Sequence, residues 1–378
     1  MLYITNGKLV LEDRVLDGFA VGFDSKIADI CPASAVPRSA ETVDAAGKYV
    51  LPGLIDVHIH GYCGRDASEG SPEAIRVMAE GLVKNGVTGF LPTTMTVEKS
   101  VINAAFAAVR SVMAESLSWN GAEILGVHAE GPFINRARKG AQNESCIIPP
   151  DADWIIENSD VVKYITLAPE CDPGFENIRR LTAAGIVVSM GHTDADFETA
   201  CAAEAAGVRS VTHLFNAMSP MSHRAPGVVG AALTTGLYTE LIADTFHVDR
   251  GLFSLVAKAK GEKLVLVTDC LSAGGLPLGT YTLGGKPFVA TETVCRLPDG
   301  TIAGSVLPAN RGIKNLWDNT DLPLWACVRC ASLNPAELLG IDGKKGSIKV
   351  GKDADLVIAD ETLGVERVYI GGRERYGA

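Results

Sequence analysis

Two histidines separated by one residue, His58 and His60, are the first side chains in this sequence that could do chemistry together. They lie in the stretch GLIDVHIHGYCGRD, where small and apolar residues lead into the pair. Residues i and i+2 of a β-strand point to the same face, with Cα atoms about 7 Å apart. Both imidazoles could therefore bind one ion at Zn–N distances of about 2.0–2.1 Å. The spacing fits equally well two polar residues at the end of a strand.

Histidines and carboxylates recur where other predicted strands end. The chain has seven histidines, and six of them lie at or just beyond such an end: His58, His60, His128, His192, His213 and His247. Glu130 in GVHAEGP and Asp269 in LVLVTDC also lie at strand ends. Each carboxylate alone would fit a turn or a helix N-cap. Together, imidazole and carboxylate ligands favour Zn²⁺, Fe²⁺ or Mn²⁺, which can acidify a bound water and polarise a carbonyl.

Eight short runs rich in β-branched residues predict the strands that must position these side chains. The runs are 54–58, 87–94, 123–131, 162–170, 185–192, 209–216, 238–247 and 263–269. Segments of helical period, such as SPEAIRVMAEGLVKNG and DFETACAAEAAG, separate them. This alternation predicts an α/β fold, a (β/α)8 TIM-type barrel over residues 54–340, with its active site at the carboxyl ends of the strands. The alternative is an open, doubly wound sheet, but no GxGxxG motif follows the first strand.

The two ends of the chain have a different pattern from the middle. Residues 1–53 alternate apolar and polar positions in short runs broken by turns, as in YITNGKLVL. Residues 341–378 repeat this character in GSIKVGKDADLVIAD. Such runs are typical of strands and hairpins. We therefore expect both ends to form one small β-sandwich domain beside the barrel.

The composition argues against several classes of partner and location. The net charge of −11 disfavours nucleic acid and anionic membrane surfaces as partners. The sequence has no run of 18 apolar residues that would predict a membrane span. Its N-terminus lacks the basic and apolar segments of a signal peptide. Nine cysteines scattered without a framework fit the reducing cytoplasm, where we expect the protein to act.

The order of the candidate ligands resembles the amidohydrolase superfamily, with an HxH pair on strand 1, Glu on strand 3, His on strands 5 and 6, and Asp on strand 8. Ten strings narrow the resemblance to the N-acetylglucosamine-6-phosphate deacetylase family: HAEGPFI, KGAQ, LAPE, GHTDA, VTHLFNAM, RAPGVVGA, IADTFHVD, VTDCLSAGG, GTIAGS and KGSIKVGKDADLVI. Each string is weak alone, but the ten keep the family's order over nearly the whole chain. The resemblance implies hydrolysis of N-acetyl-D-glucosamine 6-phosphate to glucosamine 6-phosphate and acetate by a homodimer.

The resemblance also implies a set of metal ligands. Glu130, His192 and His213 match the family's principal ligands. His58 and His60 match those members that hold a second ion, whereas other members lack this pair and use one ion. We therefore expect one or two divalent ions (Zn, Fe or Mn) in each subunit.

Other matching residues are implied to act on protons or on the substrate. Asp269 matches the catalytic acid/base. His128 lies two residues before Glu130 on the same face of the predicted strand, so we expect it near the ligands or facing substrate rather than on the metal. The residues that match contacts to the sugar phosphate are Ala141, Gln142, Asn216, Ala217, Arg224, His247, Ala303, Gly304 and Ser305. Arg224 and His247 are the expected phosphate cations, because Arg presents a fork suited to phosphate oxygens. The resemblance leaves open whether one of them acts across the dimer interface.

The residues that depart from the family pattern lie close to the expected substrate contacts, where they would affect which substrate fits. Ala225 stands where members commonly carry Glu, and Pro308 follows the 303–305 turn. One alternative substrate is therefore N-acetylgalactosamine 6-phosphate. Another is a cyclic amide, which would not need the two phosphate cations. A third alternative is a non-catalytic scaffold, which should show gaps among the metal ligands, but every ligand position here is filled.

Overall fold

The chain begins with seven strands that contribute to two sheets. The computed structural model describes residues 1–283, 286–292 and 294–378. The first strands are β1 (Leu2–Thr5), β2 (Lys8–Val10), β3 (Val15–Leu16), β4 (Phe19–Phe23), β5 (Ile27–Pro32), β6 (Glu41–Asp44) and β7 (Tyr49–Pro52). Strands β5, β4, β1 and β6 form one sheet in that order, while β2, β3 and β7 belong to a second sheet. Residues 1–53 are therefore β-structure, as their alternating pattern predicts.

The next strands form the centre of the molecule. They are β8 (Leu54–Ile59), β9 (Gly61–Tyr62), β10 (Arg65–Asp66), β11 (Val87–Thr94), β12 (Glu123–Ile124), β13 (Val127–Glu130), β14 (Val162–Leu167), β15 (Val187–Met190), β16 (Ser210–Val211), β17 (Tyr238–Ile242) and β18 (Leu264–Val267). Within the described residues, β8, β11 and β13–β18 run parallel, and each pairs with the next. They lie within or beside the eight runs predicted from the sequence, although most are shorter.

The parallel strands curve into a barrel whose seam lies between β18 and β8. At the carboxyl end of the seam, the N–H of Asp269 donates to the carbonyl of His58 at 2.9 Å. Lower in the seam, the N–H of Ile55 donates to the carbonyl of Ala331 at 2.8 Å. Buried apolar side chains from β8, β11, β14, β15, β17 and β18 fill the interior. The prediction of a (β/α)8 barrel is confirmed, and the open-sheet alternative is wrong.

Helices connect the strands and cover the outside of the barrel. They are α1 (Pro72–Leu82), α2 (Lys99–Val112), α3 (Ala152–Ile156), α4 (Glu176–Ala183), α5 (Phe197–Ala206), α6 (Gly227–Thr234), α7 (Phe253–Lys260), α8 (Ala309–Asp318), α9 (Leu324–Arg329) and α10 (Leu333–Leu339). Helix α1 shows why they form, because Ser71 caps it by accepting from the N–H of Ala74 and Pro72 occupies its first turn. Among the described residues, no helix has both the length and the apolar character needed to cross a membrane.

An antiparallel sheet follows the last barrel strand and approaches its carboxyl end. Its strands are β19 (Gly279–Leu283), β20 (Lys286–Ala290), β21 (Cys295–Arg296) and β22 (Ile302–Gly304). Directly after β22, the N–H of Ser305 donates to the carbonyl of Asp269 at 2.9 Å. This contact joins the sheet to the turn that carries the predicted catalytic carboxylate.

The last strands return to the N-terminal sheets. They are β23 (Leu356–Ala359), β24 (Val365–Ile370) and β25 (Arg373–Gly377). The second sheet has the order β25–β24–β23–β7–β2–β3, so both ends of the chain share it. Its buried residues pack with those of the first sheet, and the rings of Phe23 and Tyr369 meet edge to face at 5.4 Å. The predicted β-sandwich of the two termini is confirmed.

The limits of the sandwich and the barrel suggest where domains divide. We propose boundaries after residues 53 and 340, which give segments 1–53, 54–340 and 341–378. Two observations support them. Strand β8 begins at Leu54, directly after Gly53, whose N–H donates to the backbone carbonyl of Asp355 in the sandwich at 2.9 Å. Helix α10 ends at Leu339 and is followed by Gly340 in the left-handed region, with a φ of 70°.

Candidate metal centre

Six chemically active side chains meet at the carboxyl end of the barrel: His58, His60, Glu130, His192, His213 and Asp269. Three of them lie two residues beyond a strand, in turns rather than in the strand itself. Their φ angles are 48° at His192, 32° at His213 and 47° at Asp269. Non-glycine residues rarely adopt positive φ, and the strain persists only where the surroundings enforce it. These three turns direct their side chains into the site.

Glu130, His192 and His213 form the first ligand group, which we name the Glu130 group. Oε1 of Glu130 lies 3.2 Å from Nε2 of both histidines, and the two Nε2 atoms lie 3.2 Å from each other. The centre of such a triangle is about 1.8 Å from each corner, so an ion at about 2.0–2.1 Å would lie just off its plane. The three donor atoms therefore have the separations that one metal ion requires.

His58, His60 and Asp269 form the second group, which we name the Asp269 group. Oδ1 of Asp269 lies 3.3 Å from Nε2 of His60 and 3.7 Å from Nε2 of His58. Glu130 also reaches this group, because its Oε1 lies 3.4 Å from Nε2 of His58 and its Oε2 lies 3.3 Å from Nε2 of His60. One carboxylate is thus shared by both groups.

Hydrogen bonds at the far side of the rings direct the ligand atoms. Nδ1 of His60 lies 3.1 Å from the carbonyl of Thr93, and Nδ1 of His192 lies 2.9 Å from the carbonyl of Arg138. A carbonyl can only accept, so each Nδ1 carries a proton and donates it. The Nε2 atom of each ring then has the lone pair that a metal needs.

The carboxylates of the site favour positive charge. Burial lowers the pKa of His60, but hydrogen bonds to Asp269 and Glu130 outweigh burial and raise this pKa to about 10. Burial also lowers the pKa of His58, but the charges of Glu240, Glu130 and Asp269 outweigh it and raise this pKa well above its usual value. A divalent cation supplies the same positive charge as these protons.

The donor set fits a divalent metal. Nε2 of His58 is buried and has no hydrogen-bond partner among the described residues, although it faces two carboxylates. A buried polar atom without a partner is destabilising unless it has another role, and metal ligation is such a role. All six donors are imidazole nitrogens or carboxylate oxygens, which suit Zn²⁺, Fe²⁺ or Mn²⁺.

Comparison with known proteins identifies the family. A model of the amidohydrolase family matches residues 49–375. The N-acetylglucosamine-6-phosphate deacetylase of Bacillus subtilis is 42% identical over 366 residues, which cover 94% of this chain and 92% of the relative. The chain belongs to the N-acetylglucosamine-6-phosphate deacetylase family of amidohydrolases. Membership of this family and the two ligand groups together indicate a divalent metal.

Solved structures of the deacetylase family are closely similar. The N-acetylglucosamine-6-phosphate deacetylase of Pasteurella multocida superposes with a TM-score of 0.94 at 32% identity and covers 99% of each chain. An aspartate-to-alanine mutant of the Mycobacterium smegmatis enzyme, in complex with N-acetyl-D-glucosamine-6-phosphate, superposes with a TM-score of 0.91 at 27% identity. That comparison covers 99% of this chain and 98% of the other.

A cavity of about 400 Å³ opens onto the metal centre, within the size range of small-molecule sites. It is lined by most of the residues that the deacetylase resemblance assigns to substrate: Ala141, Gln142, Asn216, Ala217, His247, Ala303 and Gly304. His60, Glu130, His192, His213 and Asp269 also line it. Five of the six candidate metal ligands and most of the expected substrate contacts therefore line one cavity.

Two residues with expected substrate contacts do not line this cavity. Arg224 is exposed in the loop before α6. Ser305 is buried, and its N–H and hydroxyl donate to the carbonyls of Asp269 and Thr268. Ser305 thus supports the turn of Asp269. The assigned substrate roles of both residues stay predictions.

Arg296 is a cavity residue that the sequence analysis missed. Its guanidinium lies over the ring of Phe246 at 5.2 Å from the ring centre, beside His247. Little in the sequence indicated a role for Arg296, because this residue lies outside all ten strings of the deacetylase resemblance. Its position depends on the antiparallel sheet β19–β22, which the sequence analysis did not predict.

Behind the ligands lie two further buried polar residues. His128 lies with its ring 4.6 Å from that of His58, and its ring nitrogens bond the carbonyl of Val57 and the hydroxyl of Thr166. It lies near the ligands, one of the two positions expected for it, and not among the cavity-lining residues. Glu240, inside β17, was missed as a functional residue. An acidic residue within the apolar run YTELIA was the available signal.

Proposed function

We propose that this chain hydrolyses the N-acetyl group of N-acetyl-D-glucosamine 6-phosphate, producing glucosamine 6-phosphate and acetate. The observation that carries the proposal is the shared cavity. Its wall holds five of the six candidate metal ligands, all except His58, and also the cationic side chains of His247 and Arg296. Amide hydrolysis needs the first feature, and a phosphorylated substrate needs the second.

Two ions are proposed, one in each ligand group. When bound there, a divalent ion polarises an amide carbonyl and lowers the pKa of a water molecule. We propose Zn²⁺, Fe²⁺ or Mn²⁺, because the ligands include no thiolate and combine imidazole with carboxylate. Glu130 would be a ligand for an ion in either group, since its two oxygens lie 3.2–3.4 Å from the four histidine Nε2 atoms.

Asp269 is proposed to move the proton. Burial raises its pKa, but His58 and His60 outweigh burial and lower it, so the side chain is a carboxylate near neutral pH. It accepts a proton as the water oxygen attacks the carbonyl carbon of the acetamide. It then donates that proton to the sugar nitrogen as the C–N bond breaks. The products are acetate and the free amine.

The phosphate is proposed to bind at His247 and Arg296. Nδ1 of His247 donates to Asp244 at 2.6 Å, and Asp244 raises the pKa of this histidine although burial lowers it. His247 thus favours its cationic form. Arg296 supplies a second cation with several N–H donors.

The exposed position of Arg224 supports a homodimer. We propose that Arg224 of one copy reaches the phosphate in the cavity of another, because it does not line the cavity of its own chain. We further propose a cytoplasmic location, since phosphorylated sugars do not cross membranes unaided and the expected reducing compartment suits nine cysteines.

Acetate release from matched substrates tests the proposal. We expect turnover with N-acetylglucosamine 6-phosphate to exceed turnover with its galactosamine epimer. The unphosphorylated sugar should lose about 10²- to 10⁴-fold in kcat/KM, because it loses contacts to two cations and each charge-assisted hydrogen bond contributes about 1.5–3 kcal/mol.

The Asp269→Asn variant is the control for chemistry. It should lose turnover while the Glu130 group still binds an ion. Near-normal activity of this variant would refute the role of Asp269. Purified protein without metal, and inactive on every substrate, would favour the scaffold alternative.

A further inference from the structure

Glu240 is a carboxylate in the interior of the barrel. It lies in β17 with no exposed surface, and its neighbours Leu241 and Ile242 are buried as well. Removing a carboxylate from water is strongly unfavourable unless hydrogen bonds or opposite charges compensate for it. Its surroundings should therefore reveal what it is paired with.

The side chain of Glu240 contacts both ligand groups from behind. Its Oε2 accepts from Nδ1 of His58 at 3.0 Å and from the backbone N–H of His213 at 3.1 Å. Its Oε1 accepts from the hydroxyl of Tyr164 at 2.7 Å. The ring of His58 and the turn that carries His213 are thus tied to one buried group.

The contact with His58 selects the form of histidine that binds metal. With Nδ1 donating to a carboxylate, the lone pair of the ring is on Nε2, which faces Glu130 and Asp269 at 3.4 and 3.7 Å. His60 and His192 use backbone carbonyls for the same purpose. A carboxylate is a stronger acceptor than a carbonyl and makes the opposite nitrogen a better ligand.

A purely structural role is the alternative. In that case, Glu240 would only satisfy the Tyr164 hydroxyl and the His213 N–H, and its loss would change stability without distinguishing the two ion sites. The direct bond to the ring of His58 makes a different prediction, because His58 belongs to the Asp269 group alone.

We propose that Glu240 is a positioning residue that sets the tautomer and orientation of His58 and so determines whether the Asp269 group holds an ion. This inference rests on the proposed function only in requiring that the chain binds divalent metal. It does not depend on the identity of the substrate.

Metal titration of the full chain tests the inference. Chelator-treated protein is titrated with Zn²⁺ in equilibrium dialysis, and bound metal is counted by elemental analysis. We expect two ions on the unchanged chain. Glu240→Ala should bind the second ion about 10- to 100-fold more weakly, the effect typical of removing such an outer partner. The first ion should be weakened less, because Glu240 contacts the Glu130 group only through the backbone N–H of His213.

Two further variants separate positioning from structure. In Glu240→Gln, the amide oxygen can still accept from Nδ1 of His58, so the second ion should be weakened less than in Glu240→Ala. Tyr164→Phe removes another hydrogen bond of the same carboxylate but leaves His58 in contact, and both affinities should stay within about threefold. If Glu240→Ala does not fold, Glu240→Gln compared with Tyr164→Phe carries the test.

Several results would overturn the inference. Wild-type affinity at both sites in the Glu240 variants would do so, as would equal weakening of both sites or the same loss in Tyr164→Phe. A single ion on the unchanged chain would also overturn it. Absence of metal binding at any concentration would instead refute the proposed function, and acetate release measured on the same samples distinguishes these cases.

Discussion

The two ligand groups share Glu130 but are held by different kinds of structure. In the Asp269 group, His58 lies within β8, has no exposed surface and is bonded to the buried Glu240. In the Glu130 group, His192 and His213 lie in turns beyond their strands, have positive φ and line the cavity. His58 is therefore held by a strand, whereas His192 and His213 are held by strained turns. The other members of the Asp269 group, His60 just beyond β8 and Asp269 in a turn of positive φ, also reach the cavity.

The difference between ligands held by a strand and ligands held by turns suits different roles in binding and in chemistry. A residue inside a strand is precisely placed but cannot reach far into the space above the barrel. A turn can carry a side chain to the cavity, and the strain of positive φ is tolerated where function requires the position. We therefore predict that an ion held by the Glu130 group would supply the chemistry on the substrate. An ion in the Asp269 group would contribute less, because His58, one of its three ligands, has no exposed surface.

Removing the shared ligand should have the largest effect. We expect Glu130→Gln to lower kcat/KM by at least about 10³-fold, because metal assistance contributes several kcal/mol to the reaction. Both groups lose a carboxylate oxygen, so bound metal should also fall in both. Elemental analysis and acetate release measure the two effects.

The exposed Glu157 provides a matched control. Glu157→Gln makes the same chemical change on the surface and should leave metal content and turnover unchanged. A Glu130→Gln variant that keeps two ions would show that Glu130 does not join the groups.

Separate histidine substitutions should distinguish the groups. His213→Ala removes a ligand from the Glu130 group and should lower kcat/KM by about 10³-fold. His58→Ala should lose one ion and on the order of tenfold in kcat/KM, because the Glu130 group remains complete. Parallel steady-state kinetics and metal analysis give the comparison. Equal losses in the two variants would contradict different tasks for the two groups.

Replacing Arg296, a cationic side chain in the cavity wall, should not change metal binding in either ligand group. We expect Arg296→Met to lower kcat/KM for the phosphorylated sugar by about 10- to 100-fold, the effect of one charge-assisted hydrogen bond. The unphosphorylated sugar should be used as before, and metal content should be unchanged. If both sugars lose equally, Arg296 does not recognise phosphate.

The smallest effect on activity is expected at the junction of barrel and sandwich. Nζ of Lys345 bonds Glu123 at 2.7 Å and Asp355 at 2.8 Å. Lys345→Met should destabilise the protein by about 3–5 kcal/mol, because it leaves buried carboxylates without a cation. Denaturant unfolding measures this loss, while kcat per folded chain and metal content should match those of the unchanged protein.

The contribution of Lys345 to the stability of this junction should depend on pH in a defined way. Burial lowers the pKa of Lys345, but Asp355 and Glu123 outweigh burial and raise it above its usual value. Its stabilising contribution is therefore complete at neutral pH and is lost only as the pH rises through the raised pKa. The stability difference between Lys345→Met and the unchanged chain should not decrease from pH 6 to 9, because Lys345 stays charged throughout this range, and a decrease would contradict this explanation.

Much of the barrel could be predicted because its signal is local. Runs such as KLVLVTD combine β-branched residues with flanking turn signals, and six histidines and two carboxylates mark strand ends. The strand bounds were too long because the turns at His192, His213 and Asp269 use positive φ, which apolar patterning does not reveal.

The missed residues depend on long-range contacts. Glu240 and His58 are 182 positions apart, and within its own strand Glu240 is only a polar interruption. Arg296 reaches the cavity through a sheet whose short strands have little periodicity. The family strings predicted that Arg224 contacts the substrate. A sequence string does not show whether that substrate is bound by the same copy of the chain or by another.

Stepwise return of metal to chelator-treated protein tests the central claim most directly. Acetate release from N-acetylglucosamine 6-phosphate is measured after each equivalent of Zn²⁺, with His58→Ala in parallel. We predict that the activity of His58→Ala reaches a lower plateau at one equivalent of Zn²⁺, whereas the unchanged chain continues to gain activity up to two equivalents. Absence of any activity in His58→Ala with one ion bound would contradict the assignment of substrate chemistry to the Glu130 group.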